Sequence, residues 1–318
     1  MGTAYIGGYT PDTGGSGAGI LLVDLETLER RGEAPASGPS FLALHPRLPV
    51  LYAVGESEQG TVSVHGIGAD GALRPLARRS SEGSSPCHLA VNPDGTLLAV
   101  ANYGDGTVSV HGIGADGLLT TARAFPYREG AHAHQATFGP GGVLYVTDLG
   151  TDEVRRFLVR DGEASEHPDG PVRLAPGMGP RHMAWSEDSG GGHWYVAGEL
   201  DGTVRAYDSA WREVAAVAAS GTEAGNHPSH LEVHGGRVYV ANRGPDTIAV
   251  FAGPDLAAVA EVPCGGEWPR HFAIAGDRLY VANQNSGGVA VLPLQDGVPQ
   301  PATAVLATGT PSCVLPPA

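Results

Sequence analysis

Five histidines recur at one place in a repeated opening triplet: His88 in PCH, His134 in HAH, His182 in PRH, His230 in PSH and His271 in PRH. Phe41 and Cys313 hold the same place in two further triplets, PSF and PSC. Arg181 and Arg270 occupy the middle of two of them, and His132 opens another. The apolar run that follows each triplet ends in turn on Glu56, Asn102, Asp148, Glu199, Asn242 or Asn283, and Arg243 comes directly after Asn242. Imidazole exchanges a proton near neutral pH. A carboxylate can act as a base toward water. Guanidinium groups bind carboxylates and stabilise an oxygen that gains negative charge. The set has the parts for acid–base work on a small anionic substrate.

A recurring residue can also be a construction device. A histidine at a fixed repeat position can bond neighbouring backbone. Asn102, Asn242 and Asn283 read as turn residues, since Asn closes turns with its side chain. Glu199, Arg181 and Arg243 are different, because each departs from what the repeat has at its position. Glu199 stands where Asn is frequent, and Arg243 stands where Tyr103 and Gln284 stand elsewhere. His132 and His134 form an HxH that could reach a metal together with Asp148. A metal needs its ligands about 2 Å from one ion, and the histidines fall in different repeat units, so no metal is assigned. No GxSxG, phosphate-binding P-loop or HExxH occurs, and no cofactor is implied.

The residues that carry these side chains repeat as whole units. They open at Pro39, Pro86, His132, Pro180, Pro228, Pro269 and Pro311, with spacings of 47, 46, 48, 48, 41 and 42 residues. A period of this length fits a propeller blade of four strands. In the second unit HLAVNP, LLAVAN, TVSVHGI and LLTTARAF are short apolar or alternating runs between Gly, Asn and Asp turns, which is strand and hairpin patterning. Helical periodicity is scarce. The expected fold is all-β, a seven-bladed β-propeller with four-stranded blades, in one domain over residues 1–318.

The last unit has only one strand. AYIGGYT near the start of the chain resembles VYVANRG, and AGILLVD resembles TIAVFAG. Residues 4–37 therefore read as the second to fourth strands of a shared blade, with residues 312–316 as its innermost strand, paired near residues 4–9. Such closure removes an open edge. In antiparallel blades the start of the first strand and the end of the second lie at the same end. The Pro-x-His triplets and the VAN-type ends therefore gather at one solvated mouth, opposite the NPDG-type turns.

Composition narrows the partners. The chain has 19 Lys and Arg against 34 Asp and Glu, a formal charge of −15. This balance disfavours nucleic acid and anionic membranes, and no apolar stretch is long enough for a membrane span. The opening MGTAYIGGYT lacks a basic and apolar leader, so a cytoplasmic location is expected. Cys87, Cys264 and Cys313 form no CxxC and read as small packed side chains rather than a disulfide framework. The oligomeric state is open.

At HAHQATFGPGGVLYVTDLGTDEV, GPRHMAW, YVAGEL, HPSHLEVH, YVANRGPDTIAVF and WPRHFAI the sequence resembles the lactonase family of seven-bladed propellers. The same fold family includes a carboxy-cis,cis-muconate cyclase. The resemblance covers nearly the whole chain. It implies catalytic positions at His134, Arg181, Glu199 and Arg243. It implies a hydrolase that opens a sugar-acid lactone, with 6-phospho-D-glucono-1,5-lactone as the expected substrate. Glu199 or His134 would activate water, and Arg181 and Arg243 would stabilise the carbonyl oxygen. His88, His132, Asp148, His182, His230, Arg270 and His271 would hold the anionic lactone or carboxylate. The alternatives are a cyclase that closes a lactone, and a non-catalytic binding scaffold. The scaffold would call for aromatic anchors, and aromatic residues are only 6% of this chain.

Overall fold

The computed structural model describes residues 3–160, 162–187, 191–222 and 225–317. Its regular elements are strands, apart from two single turns of 3-10 helix at Pro11–Thr13 and Pro140–Gly142. No helix among the described residues is long and apolar enough to cross a membrane. The strands form seven sheets, each with a four-strand path. These are the seven blades that the repeat predicts.

The chain divides into two compact units, Met1–Arg173 with Ser312–Ala318, and Leu174–Pro311. The first unit holds four sheets. One joins Arg30–Ala34, Ile20–Asp24, Thr3–Tyr9 and Thr310–Leu315, in that order. The closing strand is the predicted one, begun two residues earlier. Ser312 Oγ donates to Ser40 O at 2.8 Å and ties it to the neighbouring triplet. The other three sheets start at Leu42–Leu44, Pro86–Val91 and Ala133–Phe138. In the second unit the sheets start at Pro180–Ser186, His227–His234 and Pro269–Ala275.

Burial explains the strand sequences. The second strands Val50–Gly55, Leu97–Asn102 and His193–Gly198 are buried at every residue, so they read as runs that are apolar but for a terminal Asn102 or His193. The outer strand Leu119–Phe125 is buried only at its two ends and carries Thr and Arg. Between sheets, large side chains meet small ones. Phe157, Leu144 and Leu97 pack with Ala99, Ala101 and Ala136 in the first unit. Tyr239, Phe272 and Leu279 pack with Ala241 and Ala290 in the second. A fully buried Leu or Phe contributes about 1.5–3 kcal/mol, so these seams hold neighbouring sheets together. In two sheets the outermost strand is broken in two, Glu163–Glu166 with Val172–Arg173, and Val298–Pro299 with Ala304–Ala307. Pro168 and Pro171 in one, and Pro299 and Pro301 in the other, lack the N–H that a continuous ladder needs.

One irregularity recurs where the chemistry was expected. The register between first and second strands shifts just after the opening residue: between Pro86 and His88, Ala133 and Gln135, Pro180 and Met183, Pro228 and Leu231, and Pro269 and His271. Each shift is a β-bulge with one extra residue on the first strand. A bulge re-aims side chains that strict alternation would send to opposite faces.

Candidate active site

In the second unit, Arg181 and His182 both lie in a bulge, between the pairs Pro180↔Gly198 and Met183↔Val196. Both are buried, with 2% and 3% exposure. On a regular strand one of them would face away. Gly179 precedes the bulge in the left-handed region, at φ +58, and its carbonyl accepts the Glu199 N–H at 2.9 Å. Gly198 has no room for a Cβ, which would stand 2.3 Å from Asp201 Oδ1 and 2.9 Å from Met178 Cγ. This crowded crossing fixes Glu199 at the end of its strand, beside the Arg181 bulge.

Glu199 Oε2 lies 2.8 Å from Arg181 Nε and 2.7 Å from Arg243 Nη2. Arg181 Nη1 also donates to Ser229 O. Arg243 Nε donates to His227 O at 2.9 Å, and its guanidinium carbon stands 5.2 Å from the Trp268 ring centre. Arg270 adds its charge to the same field, and its Nη1 reaches Gln284 Oε1 at 3.4 Å. Burial works to raise the Glu199 carboxyl pKa. Arg181, Arg243 and Arg270 outweigh it, and the pKa lies below the ordinary carboxylate value. Three guanidinium groups act on one carboxylate, which leaves positive charge to receive an anion.

The histidines of the second unit form a connected group. His182 Nδ1 and His230 Nδ1 are 2.8 Å apart. The rings of His230 and His271 are centred 4.0 Å apart. His230 Nε2 lies 3.3 Å from Glu232 Oε1. Burial, then Arg181, pushes the His230 pKa down to about 3. Burial, then His230 and Arg181, holds His271 well below the usual imidazole value.

The remaining expected residues belong to the first unit. His134 is 5% exposed. It lies edge-on to Tyr103, with ring centres 5.8 Å apart, and its carbonyl accepts from Cys87 Sγ at 3.3 Å. His132 stacks on Tyr103 at 4.5 Å, and its Nδ1 lies 2.8 Å from Tyr103 O. His88 packs on Phe41 at 3.9 Å. Among the described residues no three His, Cys, Asp or Glu side chains converge as a set of metal ligands.

Two expectations need correction. Asp148 has no exposed surface. Its Oδ1 accepts the N–H groups of His132 and Thr151 at 2.9 and 3.2 Å, and Arg155 Nη1 lies 4.0 Å from its Oδ2. It holds its turn, whereas Asn102, Asn242 and Asn283 reach back to the segment before their own sheets, donating to the carbonyls of Ser81, Ala219 and Cys264. The charged cluster is also not a solvated mouth, because Arg181 and Arg243 are enclosed while Glu199 keeps 21% side-chain exposure. Trp268 and Glu232 were not anticipated. Trp268 sits at φ +63 directly before Pro269, a strained choice for a large side chain. Ser85, before Pro86, shares this backbone state, so the WPR and SPC junctions carry the signal. Glu232 was legible only as the alternate residue to His230, on the same face of a strand.

Comparison with known proteins bears on the family and the fold. The family described as "Lactonase, 7-bladed beta-propeller" matches residues 3–316. A 6-phosphogluconolactonase of Bacillus subtilis is 29% identical over 275 residues, covering 78% of each chain. One from Formosa agariphila is 28% identical over 281 residues, again covering 78% of each. The solved structure of a periplasmic gluconolactonase of Pseudomonas aeruginosa superposes with a TM-score of 0.89 at 26% identity, covering 98% of both chains.

Proposed function

The chain belongs to the lactonase family of seven-bladed β-propellers, and from that membership we propose that it hydrolyses a sugar-acid lactone, with 6-phospho-D-glucono-1,5-lactone, opened to 6-phosphogluconate, as the leading substrate. The names of the relatives from Bacillus subtilis and Formosa agariphila support the substrate class. The observation that carries the reading is the closure of Arg181 and Arg243 on one oxygen of Glu199. Two enclosed guanidiniums, held in place before substrate arrives, are suited to the charge that grows on a lactone carbonyl oxygen when water adds to it. Arg270 adds attraction for an anionic substrate.

Glu199 is a weak candidate for the base. A carboxylate held below its ordinary pKa accepts a proton poorly near neutral pH. Its role here is to align Arg181 and Arg243. Proton transfer then falls to histidine, and His134, at the family's position, and the histidines beside Arg181 are the groups left for it.

The test is hydrolysis of freshly made 6-phospho-D-glucono-1,5-lactone and of unphosphorylated glucono-1,5-lactone, corrected for spontaneous opening. The expected result is turnover well above background, with preference for the phosphorylated ring. No rate above background on either lactone overturns the proposal and leaves ring closure or binding as the activity to examine.

A further inference from the structure

His230 uses both ring nitrogens. Nδ1 faces His182 Nδ1 at 2.8 Å, and Nε2 faces Glu232 Oε1 at 3.3 Å. A neutral imidazole has one N–H to share between two such partners. Two arrangements satisfy the chain. In one, His182 Nδ1–H donates to His230 Nδ1, and His230 Nε2–H donates to a Glu232 carboxylate. In the other, a protonated Glu232 donates to His230 Nε2, and His230 Nδ1–H donates to His182 Nδ1. The second holds one proton more than the first, so a proton that enters at His182 Nε2 shifts each N–H along the chain and ends on Glu232. Building on the lactonase reading, we propose that Glu232, His230 and His182 form a proton relay that stores the proton taken from attacking water and returns it to the departing ring oxygen.

The step balances. Resting His182 is neutral and carries its proton on Nδ1, and Glu232 is ionised. As water adds to the carbonyl carbon, an O–H bond of the water breaks and an N–H bond forms at His182 Nε2. The Nδ1–H bond of His182 breaks as one forms at His230 Nδ1. The Nε2–H bond of His230 breaks as an O–H forms on Glu232. When the bond between carbonyl carbon and ring oxygen cleaves, the electron pair stays on that oxygen. The same proton shifts then run backward, and His182 Nε2–H protonates the ring oxygen. Nothing is oxidised or reduced, and the chain returns to its starting state.

The surroundings suit these roles. His230 is 6% exposed, and its pKa near 3 makes it a conduit that does not accumulate the proton. Glu232 keeps 31% side-chain exposure. Its pKa is pushed up to about 7 by burial, against the lowering effects of the Ile274 N–H and His234, which suits a store near neutral pH. The facing groups are Arg181 and His182 on the Pro180–Ser186 strand, and His271 and the Ile274 N–H on the Pro269–Ala275 strand. His234 lies on the same strand as Glu232 itself. At the His182 end the chain adjoins Arg181, which holds Glu199.

Imidazole 15N spectra of the whole protein, recorded against pH, test the relay without turnover. In wild type the two His230 nitrogens should exchange N–H character in a step centred near pH 7, and Glu232→Gln should abolish the step. A wild-type spectrum with no step, or a step unchanged in Glu232→Gln, overturns the proposal. The second measurement is kcat against pH. Glu232→Gln should lower kcat about tenfold or more and remove the limb near neutrality, whereas Glu232→Asp should keep a shifted limb. A wild type that hydrolyses lactones alongside a Glu232→Gln variant with the same limb sinks the relay alone. A wild type inactive on lactones sinks the hydrolase reading, and with it the relay's part in turnover.

Discussion

Arg181 and Arg243 form ion pairs with one and the same oxygen, Glu199 Oε2, at 2.8 and 2.7 Å. They come from different sheets, one on a first strand and one at the end of a second, so the carboxylate joins two sheets as well as two charges. Removing one partner from an enclosed ion pair leaves charge without compensation, at a cost of about 3–5 kcal/mol. Glu199→Gln should therefore lower unfolding stability by about 3 kcal/mol, contrary to what a solvated mouth would give. Denaturant unfolding of the two proteins measures this, and equal free energies would show that the guanidiniums find other partners.

Arg243→Ala should lower kcat/KM by about 10² to 10³, the usual effect of losing one donor to a developing oxyanion. Arg243→Lys should recover little of it. A lysine ammonium cannot reach Glu199 Oε2 and His227 O in one planar fork while lying against Trp268. Recovery to within about threefold of wild type would mean that only charge matters at this position.

Trp268 contributes through its ring and strains its own backbone. Replacing it with Gly removes a left-handed penalty of about 1–2 kcal/mol and a cation–π contact of about 1 kcal/mol. Melting should therefore change little. Activity should fall about tenfold as Arg243 loses its platform, a change equal to about 1.4 kcal/mol. A large loss of melting temperature with normal kinetics would assign Trp268 to the core instead.

Acid should destabilise the protein above the pH range in which ordinary carboxylates titrate. His65, His111, His230 and His271 all have pKa values lowered by burial, to about 4 for His111 and about 3 for His230. Below pH 6.5 the unfolded chain binds protons that the folded chain refuses, so these groups stabilise above that pH and lose their contribution as pH falls toward their folded values. Glu232 acts in the opposite sense. Its raised pKa gives a contribution present below pH 4.5 and lost as pH rises through about 7. Four histidines oppose one glutamate, and unfolding free energy should fall between pH 7 and pH 5. A flat profile across that window would contradict the enclosure of these imidazoles.

Ending the chain at Thr310 removes the strand beside Thr3–Tyr9 and the bond from Ser312 to Ser40. The shortened protein should melt lower and aggregate, since the exposed strand offers unpaired backbone groups. Scattering during a thermal ramp checks this, and unchanged melting would mean that the closing strand adds nothing.

Sheet starts, turn asparagines and the shared terminal sheet were legible because Pro, Gly and Asn punctuate short strands in a fixed order. Arg181, Glu199 and Arg243 were legible as breaks in that order. Asp148 was not separable from Glu199 by type alone. An acidic side chain at a strand end can cap backbone N–H groups or face a ligand, and only the hydrogen bonds of His132 and Thr151 tell which. Enclosure of the arginines was hidden too, because the bulges that turn Arg181 and His182 inward depend on pairing register, which a repeat in sequence does not specify. Trp268 went unnoticed because the residue before a proline is ordinarily extended.

The strand Thr310–Leu315 is the innermost of its sheet, yet the ribosome makes it after every other strand in the seven sheets. Thr3–Tyr9 must wait, with one edge bare, while every other strand of the seven sheets is made. Its Gly7 and Gly8, which pack poorly as isolated strand residues, make that waiting strand less adhesive than a run of Val and Ile would be. The vulnerable interval for this protein is therefore during synthesis, and a ribosome stalled before Thr310 would hold all the other strands with this one edge still open.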